Sequence, residues 1–158
     1  MLRCTFRLNN KPMSEITGPG FKYPAFSGKP GFANVPVHMY TPRLGPIPIG
    51  EYAIVDRNCG SLKTCAIDYA ALLVPRVNSR LSWFALYALD GKIDDETFLR
   101  GIRRGEFRLH PGSNSEGCVT LPSDADFQAL RDKLLPQKGT HQIGGAQIVC
   151  YGVLEVTF

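Results

Sequence analysis

Apolar and polar residues alternate over several short stretches of the chain, which is the pattern of β-strands that bury one face. Residues 4–8 alternate in this way, and the turn residues 9–12 separate them from a second stretch that ends near Thr17, so a hairpin is predicted. Residues 81–89 form an apolar run closed by an Asp-Gly pair, which predicts a buried strand and a turn. Further strands are predicted at residues 50–56, 106–110, 118–121 and 146–158.

Two other segments have the pattern of helices. Residues 94–104 carry acids at their start and arginines at their end, as the helix dipole favours, and are predicted to be helical. Ser123 is placed to cap a second helix. The apolar stripe of that helix consists of Phe127, Leu130 and Leu134. Residues 67–74 are apolar and fit either a short helix or a strand.

Residues 18–48 are dense in glycine and proline, and each proline removes a hydrogen-bond donor and restricts the residue before it. Regular helix is therefore excluded from this segment. Long irregular segments inside compact domains are often functional, and we expect this one to form a wall of a binding cleft. A disordered linker is the alternative, but the aromatic side chains of the segment supply surface to bury. These are Phe21, Tyr23, Phe26, Phe32 and Tyr40.

Composition favours a loop-rich β protein, because the chain has 16 glycines and 12 prolines. Its 158 residues suit one domain that spans residues 1–158, and an apolar fraction of 44% is ordinary for a globular protein. The net charge is +4, but the basic residues are scattered, so nucleic acid is not an expected partner. A polyanionic surface such as a cell wall is compatible with this charge.

No stretch approaches the roughly 20 apolar residues of a membrane span, so no span is expected. Charged residues interrupt the apolar residues of the N-terminus, unlike in a signal peptide. We therefore expect either a cytosolic protein or one that leaves the cell by a route needing no such signal. A trimmed chain is the third alternative.

The chain has five cysteines, so at least one thiol has no partner within it. Cys59 and Cys65 flank a short polar loop, and whether they form a disulfide stays open, because sequence does not fix disulfide geometry. Cys4 and Cys150 lie in apolar, strand-like segments and are expected to be buried thiols. Neither Cys-x-x-Cys pairs nor ligand spacing among the histidines appear, so no metal or other cofactor is expected.

His110 and Cys118 are the candidate catalytic pair. His110 ends a predicted strand, and Cys118 begins the next one after seven intervening residues. An imidazole that takes the proton of a nearby thiol forms a thiolate–imidazolium pair, and the thiolate is the nucleophile. A backbone carbonyl just after the histidine, at Pro111 or Gly112, is expected to orient the ring. A surface loop with an incidental histidine and a structural cysteine is the alternative.

The residues between them are small and polar and suit tight turns. Successive backbone N–H groups from Glu116 to Cys118 are placed to bind a developing oxyanion. Candidates for oxyanion or substrate positioning are Gly112, Ser115, Glu116 and Gly117. Weaker candidates for substrate binding are Arg108, which is expected on the His110 face of its strand, and Tyr40 and Tyr52.

The segment Ser115-Glu-Gly-Cys118 resembles the Ser-x-Gly-Cys signature of the L,D-transpeptidases (YkuD-like domains). That signature usually reads Ser-His-Gly-Cys followed by a hydrophobic residue and Arg, whereas Glu116 and Thr120 stand at the His and Arg positions here. These departures point to a divergent branch, the L,D-transpeptidase-like effectors of type VI secretion. Two upstream blocks resemble the same branch, namely Phe26-Ser-Gly-Lys-Pro-Gly-Phe-Ala-Asn34 and Gly45-Pro-Ile-Pro-Ile-Gly-Glu-Tyr52.

The resemblance implies a mainly β fold with a few short helices, built as an L,D-transpeptidase-like β-sandwich or open barrel. It implies that Cys118 attacks the bond between diaminopimelate and the terminal D-Ala of peptidoglycan tetrapeptide stems, with His110 as base. Water then completes an L,D-carboxypeptidase reaction, or a free D-amino acid completes an L,D-transpeptidase exchange. It also implies a toxin made in the cytoplasm, handed to secretion machinery, active in the periplasm of target bacteria and opposed by an immunity protein.

Three other functions fit parts of the sequence. An ordinary L,D-transpeptidase that remodels the cell's own wall would normally carry an export signal or a membrane anchor. A papain-like or NlpC-type peptidase has its cysteine before its histidine, and His141 lies in a predicted polar loop. A wall-binding β module with an inert thiol is the non-enzymatic alternative, and a low pKa of Cys118 would favour an enzyme over it.

Overall fold

Short strands make up most of the regular structure. The computed structural model describes residues 1–57, 80–143 and 145–158, and within them the protein is mainly β, as predicted. The strands are β1 (Leu2–Arg7), β2 (Ser14–Gly18), β3 (Phe21–Ala25), β4 (Gly50–Asp56), β5 (Phe84–Ala88), β6 (Glu96–Leu99), β7 (Ile102–Gly105), β8 (Arg108–Pro111), β9 (Val119–Leu121), β10 (Gly139–Ile143), β11 (Ala146–Cys150) and β12 (Gly152–Thr157). Helix α1 spans Asp124–Leu134, and short 3₁₀ turns lie at Pro36–Tyr40, Arg80–Ser82 and Leu135–Gln137.

The main sheet has eight strands in the order β3-β2-β1-β12-β4-β5-β8-β9. The predicted N-terminal hairpin is its β1–β2 pair. The two edges of this sheet meet: the N–H of Phe26 donates to the carbonyl of Thr120 at 2.9 Å, and the N–H of Thr120 donates back at 2.8 Å. The sheet is therefore a nearly closed barrel, and its last strand, β9, is held on both sides.

Helix α1 packs one face into the main hydrophobic core, as its apolar stripe predicts. Phe127, Leu130 and Leu134 are all buried in the same cluster as the inward side chains of the main sheet. Ser123 caps the helix, since its hydroxyl accepts the N–H of Asp126 at 3.1 Å. Each buried side chain of this size contributes about 1.5–3 kcal/mol.

The helix predicted at residues 94–104 is wrong, because these residues form the β6–β7 hairpin. Its turn is Arg100-Gly101, where φ is 50° and 80°. Two-residue hairpin turns require such positive φ values, which a helix cannot contain. The charges that suggested helix ends lie across the hairpin instead, where Arg103 pairs with Glu96.

The long strand predicted at 146–158 is two strands in different sheets. β11 pairs only with β10 in a small hairpin, whereas β12 enters the main sheet beside β1. A Cβ at Gly152 would lie 2.3 Å from the Leu2 carbonyl oxygen, so the chain enters the sheet at a spacing that only glycine permits. The polar loop predicted around His141 is also wrong, because His141 lies within β10, opposite Ile148.

The segment 18–48 is irregular apart from β3 and a 3₁₀ turn, as predicted. The side chain of Asn34 is fully buried, and it links two parts of this segment and joins the segment to the turn after β1. Its side chain accepts the N–H of Ser27 at 2.9 Å and donates to the Lys11 carbonyl at 2.9 Å. The segment is therefore an ordered part of the fold rather than a linker.

Among the described residues, no helix is long and apolar enough to cross a membrane. Cys4 and Cys150 are buried free thiols, as predicted. The alternatives left open for Cys59 with Cys65, and for residues 67–74, concern positions outside the described ranges.

Replacing Gly101 tests the hairpin against a helix. Gly101→Ala should lower the free energy of unfolding by about 1–2 kcal/mol, because alanine is strained at positive φ. Gly101→Asn should cost less, since asparagine tolerates this region. Urea unfolding of both variants measures the difference. A helix at residues 94–104 would give the opposite sign, since alanine stabilises a helix by about 1 kcal/mol over glycine.

Candidate active site

A cavity of about 540 Å³ lies where β8 and β9 meet the loop that joins them, and His110 and Cys118 both line it. Pro42 and Arg43 of the glycine- and proline-rich segment line it too, so this segment forms part of a cleft wall, as predicted.

Strand pairing places the candidate nucleophile and the candidate base on one face of the sheet. β8 and β9 run parallel, with His110 beside Thr120, and the same register extended by one residue puts Arg108 beside Cys118. Side chains two positions apart on a strand share a face. His110 and Cys118 are therefore diagonal neighbours across two adjacent strands.

Both ring nitrogens of His110 have partners. Nδ1 lies 2.9 Å from the Pro111 carbonyl oxygen, one of the two contacts expected from the sequence. Because a carbonyl only accepts hydrogen bonds, Nδ1 carries the proton and Nε2 carries the lone pair. The Thr120 hydroxyl donates to Nε2 at 3.2 Å. Burial lowers the pKa of His110, although the Pro111 carbonyl opposes this effect, so the resting ring is neutral at pH 7.

The indole of Trp83 covers one face of the His110 ring. The two ring centroids are 4.3 Å apart and the planes are inclined by 21°, which is a stacked arrangement. Trp83 also lines the cavity. The apolar run at 81–89 marks this tryptophan only as a buried strand residue, and no local signal in the sequence connects it to the histidine.

Cys118 is partly buried, and its Sγ lies 4.0 Å from the Glu106 carbonyl oxygen, a long and weak contact. Burial raises the pKa of the thiol to about 11, although the backbone N–H and the charge of Arg108 lower it. The thiolate–imidazolium pair expected from the sequence is therefore not the resting state. Both groups are neutral, and the proton has to move during the reaction.

Arg108 lies beside Cys118, but its guanidinium is already paired. It donates to both carboxylate oxygens of Asp95, at 2.7 and 2.6 Å, in a partly buried ion pair. The edge formed by its two terminal nitrogens is thus occupied. The effect of Arg108 on this site is its positive charge near the thiol, partly offset by Asp95.

Two buried serines hold the loop that precedes Cys118. The Ser115 hydroxyl donates to the Cys118 carbonyl at 2.7 Å and accepts the N–H groups of Gly28 and Gly117 at 3.0 and 3.3 Å. The Ser27 hydroxyl donates to the Gly117 carbonyl at 3.1 Å. Ser115 therefore positions the loop, and it ties the loop to the upstream block that contains Ser27.

The remaining loop candidates differ in whether their hydrogen-bonding and charged groups already have partners within the protein. Gly112 and Glu116 line the cavity, but the N–H of Gly112 donates to a β9 carbonyl at 3.0 Å and the Glu116 carboxylate pairs with Lys29 at 3.0 Å. The N–H of Gly117 is used by Ser115. The backbone N–H groups of Glu116 and Cys118 remain the candidates for binding an oxyanion.

Arg104 is a buried cation directly behind the loop. Its guanidinium donates to the carbonyl oxygens of Met39, Gly45 and Pro46, and burial lowers its pKa. A Cβ on Gly117 would lie 2.8 Å from its Nη2 atom, and the φ of 118° at Gly117 is one that favours glycine. The sequence pattern does not predict that Arg104 is buried, because its burial depends on the β6–β7 hairpin.

Neither Tyr40 nor Tyr52 is among the described residues that line the cavity. Tyr52 is a core residue, since its hydroxyl donates to the Pro48 carbonyl at 2.8 Å and its ring meets the edge of Phe107. The ring of Tyr40 lies 4.8 Å from the Arg100 guanidinium. Both tyrosines therefore make contacts away from the cavity that His110 and Cys118 line, and their role in substrate binding stays a prediction.

The charges around Cys118 predict opposite effects from two substitutions. Asp95→Asn should lower the pKa of the thiol, because it removes a repelling charge and leaves Arg108 unpaired, whereas Arg108→Gln should raise it. Alkylation of Cys118 by iodoacetamide at pH 8 should be severalfold faster in Asp95→Asn than in the unaltered protein and slower in Arg108→Gln. Mass spectrometry of the Cys118 peptide gives the rates, and equal rates or the reverse order would contradict this electrostatic picture.

Comparison with known proteins identifies the family. Residues 21–145 match the model of the Tlde1 domain, a stretch that includes both upstream blocks, the His110 strand and the Cys118 loop. No curated protein matches the chain, and no solved structure does. The chain therefore belongs to the Tlde1 domain family of type VI secretion effectors.

Proposed function

We propose that this effector is a peptidoglycan enzyme that cleaves the bond between diaminopimelate and the terminal D-Ala of tetrapeptide stems through an acyl-enzyme on Cys118. The observation that carries the proposal is the state of His110, whose Nε2 lone pair lies on the same sheet face and in the same cavity as the thiol. The proposal is further supported by the single tautomer that the Pro111 carbonyl selects and by the cavity that both side chains line.

Acylation begins with attack of Cys118 Sγ on the carbonyl carbon of the scissile amide. The thiol proton passes to Nε2 of His110, which releases its contact with Thr120. The C–N bond then breaks, the D-Ala amine takes the proton from Nε2, and a thioester remains on Sγ. Because the proton moves as the C–S bond forms, a thiol that is protonated at rest is compatible with this route.

Four groups act on the charges of this step. The Pro111 carbonyl holds Nδ1–H and so keeps Nε2 facing the reaction. The N–H groups of Glu116 and Cys118 are the donors for the oxyanion. Arg108 places a positive charge beside Sγ, which favours the thiolate as it forms.

Deacylation decides the product. Water that attacks the thioester gives a tripeptide stem, which is L,D-carboxypeptidase action, and a D-amino acid gives an exchanged stem, which is L,D-transpeptidase action. In both cases Nε2 of His110 takes the proton of the incoming nucleophile and returns it to Sγ. Both reactions consume the tetrapeptide stems that end in D-Ala, which are donors for cross-linking, so a target cell would be weakened from its periplasm.

Family membership selects among the alternatives. An effector implies secretion machinery and an immunity protein as partners, which favours a toxin over an enzyme that remodels the cell's own wall. A wall-binding module without chemistry is the second candidate, and the high pKa of the resting thiol is the observation that favours it.

Purified tetrapeptide muropeptides distinguish enzyme from binding module. The protein should release D-Ala and produce tripeptides, or exchanged tetrapeptides when a D-amino acid is added, as followed by chromatography and mass spectrometry. Cys118→Ala should abolish both products, and His110→Ala should slow them about 100-fold or more. His141→Gln, in the separate β10–β11 hairpin, is the matched control and should retain full activity.

Expression in the periplasm of a bacterial host extends the same test to toxicity. The unaltered protein should impair growth and deplete tetrapeptide stems, whereas Cys118→Ala should do neither. Unchanged muropeptides with a folded, unaltered protein would refute the proposed reaction, and toxicity that survives Cys118→Ala would show that another activity kills.

A further inference from the structure

His110 becomes positively charged when it takes the thiol proton, and among its nitrogen contacts only the Pro111 carbonyl stabilises that charge. Its two nitrogen partners are the Pro111 carbonyl and the Thr120 hydroxyl, both of them neutral. A buried charge is costly unless something compensates it. In many catalytic sites a carboxylate on the second nitrogen supplies the compensation, but here a carbonyl occupies that place.

We propose that Trp83 is the positioning residue of His110: its stacked indole fixes the plane of the imidazole and stabilises the imidazolium that forms during acylation. The inference rests on the proposed function, because it assigns the charge of one step to that ring. Its basis is the stack itself, with centroids 4.3 Å apart and planes inclined by 21°.

The stack and the hydrogen bonds restrain the ring in different directions. The contacts of Nδ1 and Nε2 act at the edge of the imidazole, whereas the indole acts on its face and opposes tilting. Three contacts together leave the ring one orientation. A base held in this way loses less conformational freedom when the substrate arrives.

The indole is also a site that attracts cations. The guanidinium groups of Arg57 and Arg80 each lie 5.8 Å from its centroid, within the range of cation–π contacts. A face that attracts cations would attract an imidazolium in the same manner, with a contribution that grows in a desolvated site.

Among the described residues, several charged side chains lie near His110, and some of them are paired with each other. On its own sheet face, Arg108 is paired with Asp95 and the Cys118 thiol is protonated at rest. The cavity lining adds Arg43, Arg103, Arg104, Glu106 and Glu116, and Arg57 and Arg80 lie at the indole that covers the ring. Of these, Glu116 pairs with Lys29 and Arg103 with Glu96.

Trp83 is the only tryptophan of the chain, so its fluorescence reports the stack without any turnover. An imidazolium in contact with an indole quenches its emission more than a neutral imidazole does. Emission should therefore fall as pH is lowered, with a midpoint below the ordinary histidine value of about 6.5, since burial lowers the pKa of His110. The transition should disappear in His110→Gln and persist in His141→Gln.

A pair of substitutions separates the π face from simple packing. Trp83→Phe keeps an aromatic face, and Trp83→Leu keeps only apolar volume. We expect kcat for tetrapeptide cleavage to fall about 3- to 30-fold in Trp83→Leu relative to Trp83→Phe, with little change in KM. The pKa of His110, followed by NMR in each folded variant, should be lower in Trp83→Leu by roughly half a unit to one and a half units.

The outcomes separate this inference from the proposed function. If the unaltered protein shows no Cys118-dependent turnover, the proposed reaction fails, while fluorescence and NMR still decide whether Trp83 acts on His110. If turnover is present but Trp83→Leu and Trp83→Phe lose it equally and leave the pKa of His110 the same, Trp83 is only a packing residue and the inference is overturned. A fluorescence transition that survives His110→Gln would overturn it as well.

Discussion

The parallel pairing of β8 with β9 is the constraint on which the site depends. Parallel neighbours usually need a connection of a dozen or more residues, yet here the chain returns between Pro111 and Val119. The return is feasible because both strands are short, so the loop has to run back only about 10 Å. It brings Cys118 beside the start of β8 while His110 lies near the end, and the two side chains share one face.

A loop that reverses so tightly has to be held, and the molecule holds it from three sides. Ser115 closes it internally, Ser27 ties it to the upstream block, and Arg104 supports Gly117 from behind. On the far side, the pairing of Phe26 with Thr120 closes the sheet over β9. Most of this support comes from segments distant in sequence, so the position of the nucleophile is a property of the closed barrel and not of its own loop.

Burial sets the protonation of the pair. It raises the pKa of Cys118 and lowers that of His110, so both are neutral before substrate arrives. A neutral base with a fixed tautomer is suited to taking the thiol proton during attack. A thiol that is protonated at rest reacts little with other electrophiles, because the thiolate is the nucleophilic form. In the proposed reaction, neighbouring groups then stabilise the charges that form: Trp83 stabilises the imidazolium, and Arg108 stabilises the thiolate.

Much of this could be predicted from local pattern. Alternation and a short apolar run located most strands of the main sheet, although β3 was not predicted, and the Ser123 cap with its apolar stripe located α1. The proximity of His110 and Cys118 and the Pro111 contact followed from the chemistry of neighbouring residues, whereas their catalytic role stays a prediction.

The errors arose where tertiary contacts override local pattern. Charges at both ends of residues 94–104 mimic a helix, whereas the turn at Arg100-Gly101 makes a hairpin. The break at Gly152 depends on the carbonyl of a residue at the other end of the chain. Trp83 and Arg104 reach the site only through strand pairing and loop packing, which no window of sequence contains.

The central claim is that Cys118 forms an acyl-enzyme, and intact-mass spectrometry tests it directly. Brief incubation with tetrapeptide followed by acid quenching should give a species heavier by the tripeptide acyl group, and peptide mapping should place that mass on Cys118. In His110→Gln the adduct should accumulate far more slowly, and in Cys118→Ala it should be missing. An unmodified Cys118 while D-Ala is released, or an adduct on another residue, would contradict the account.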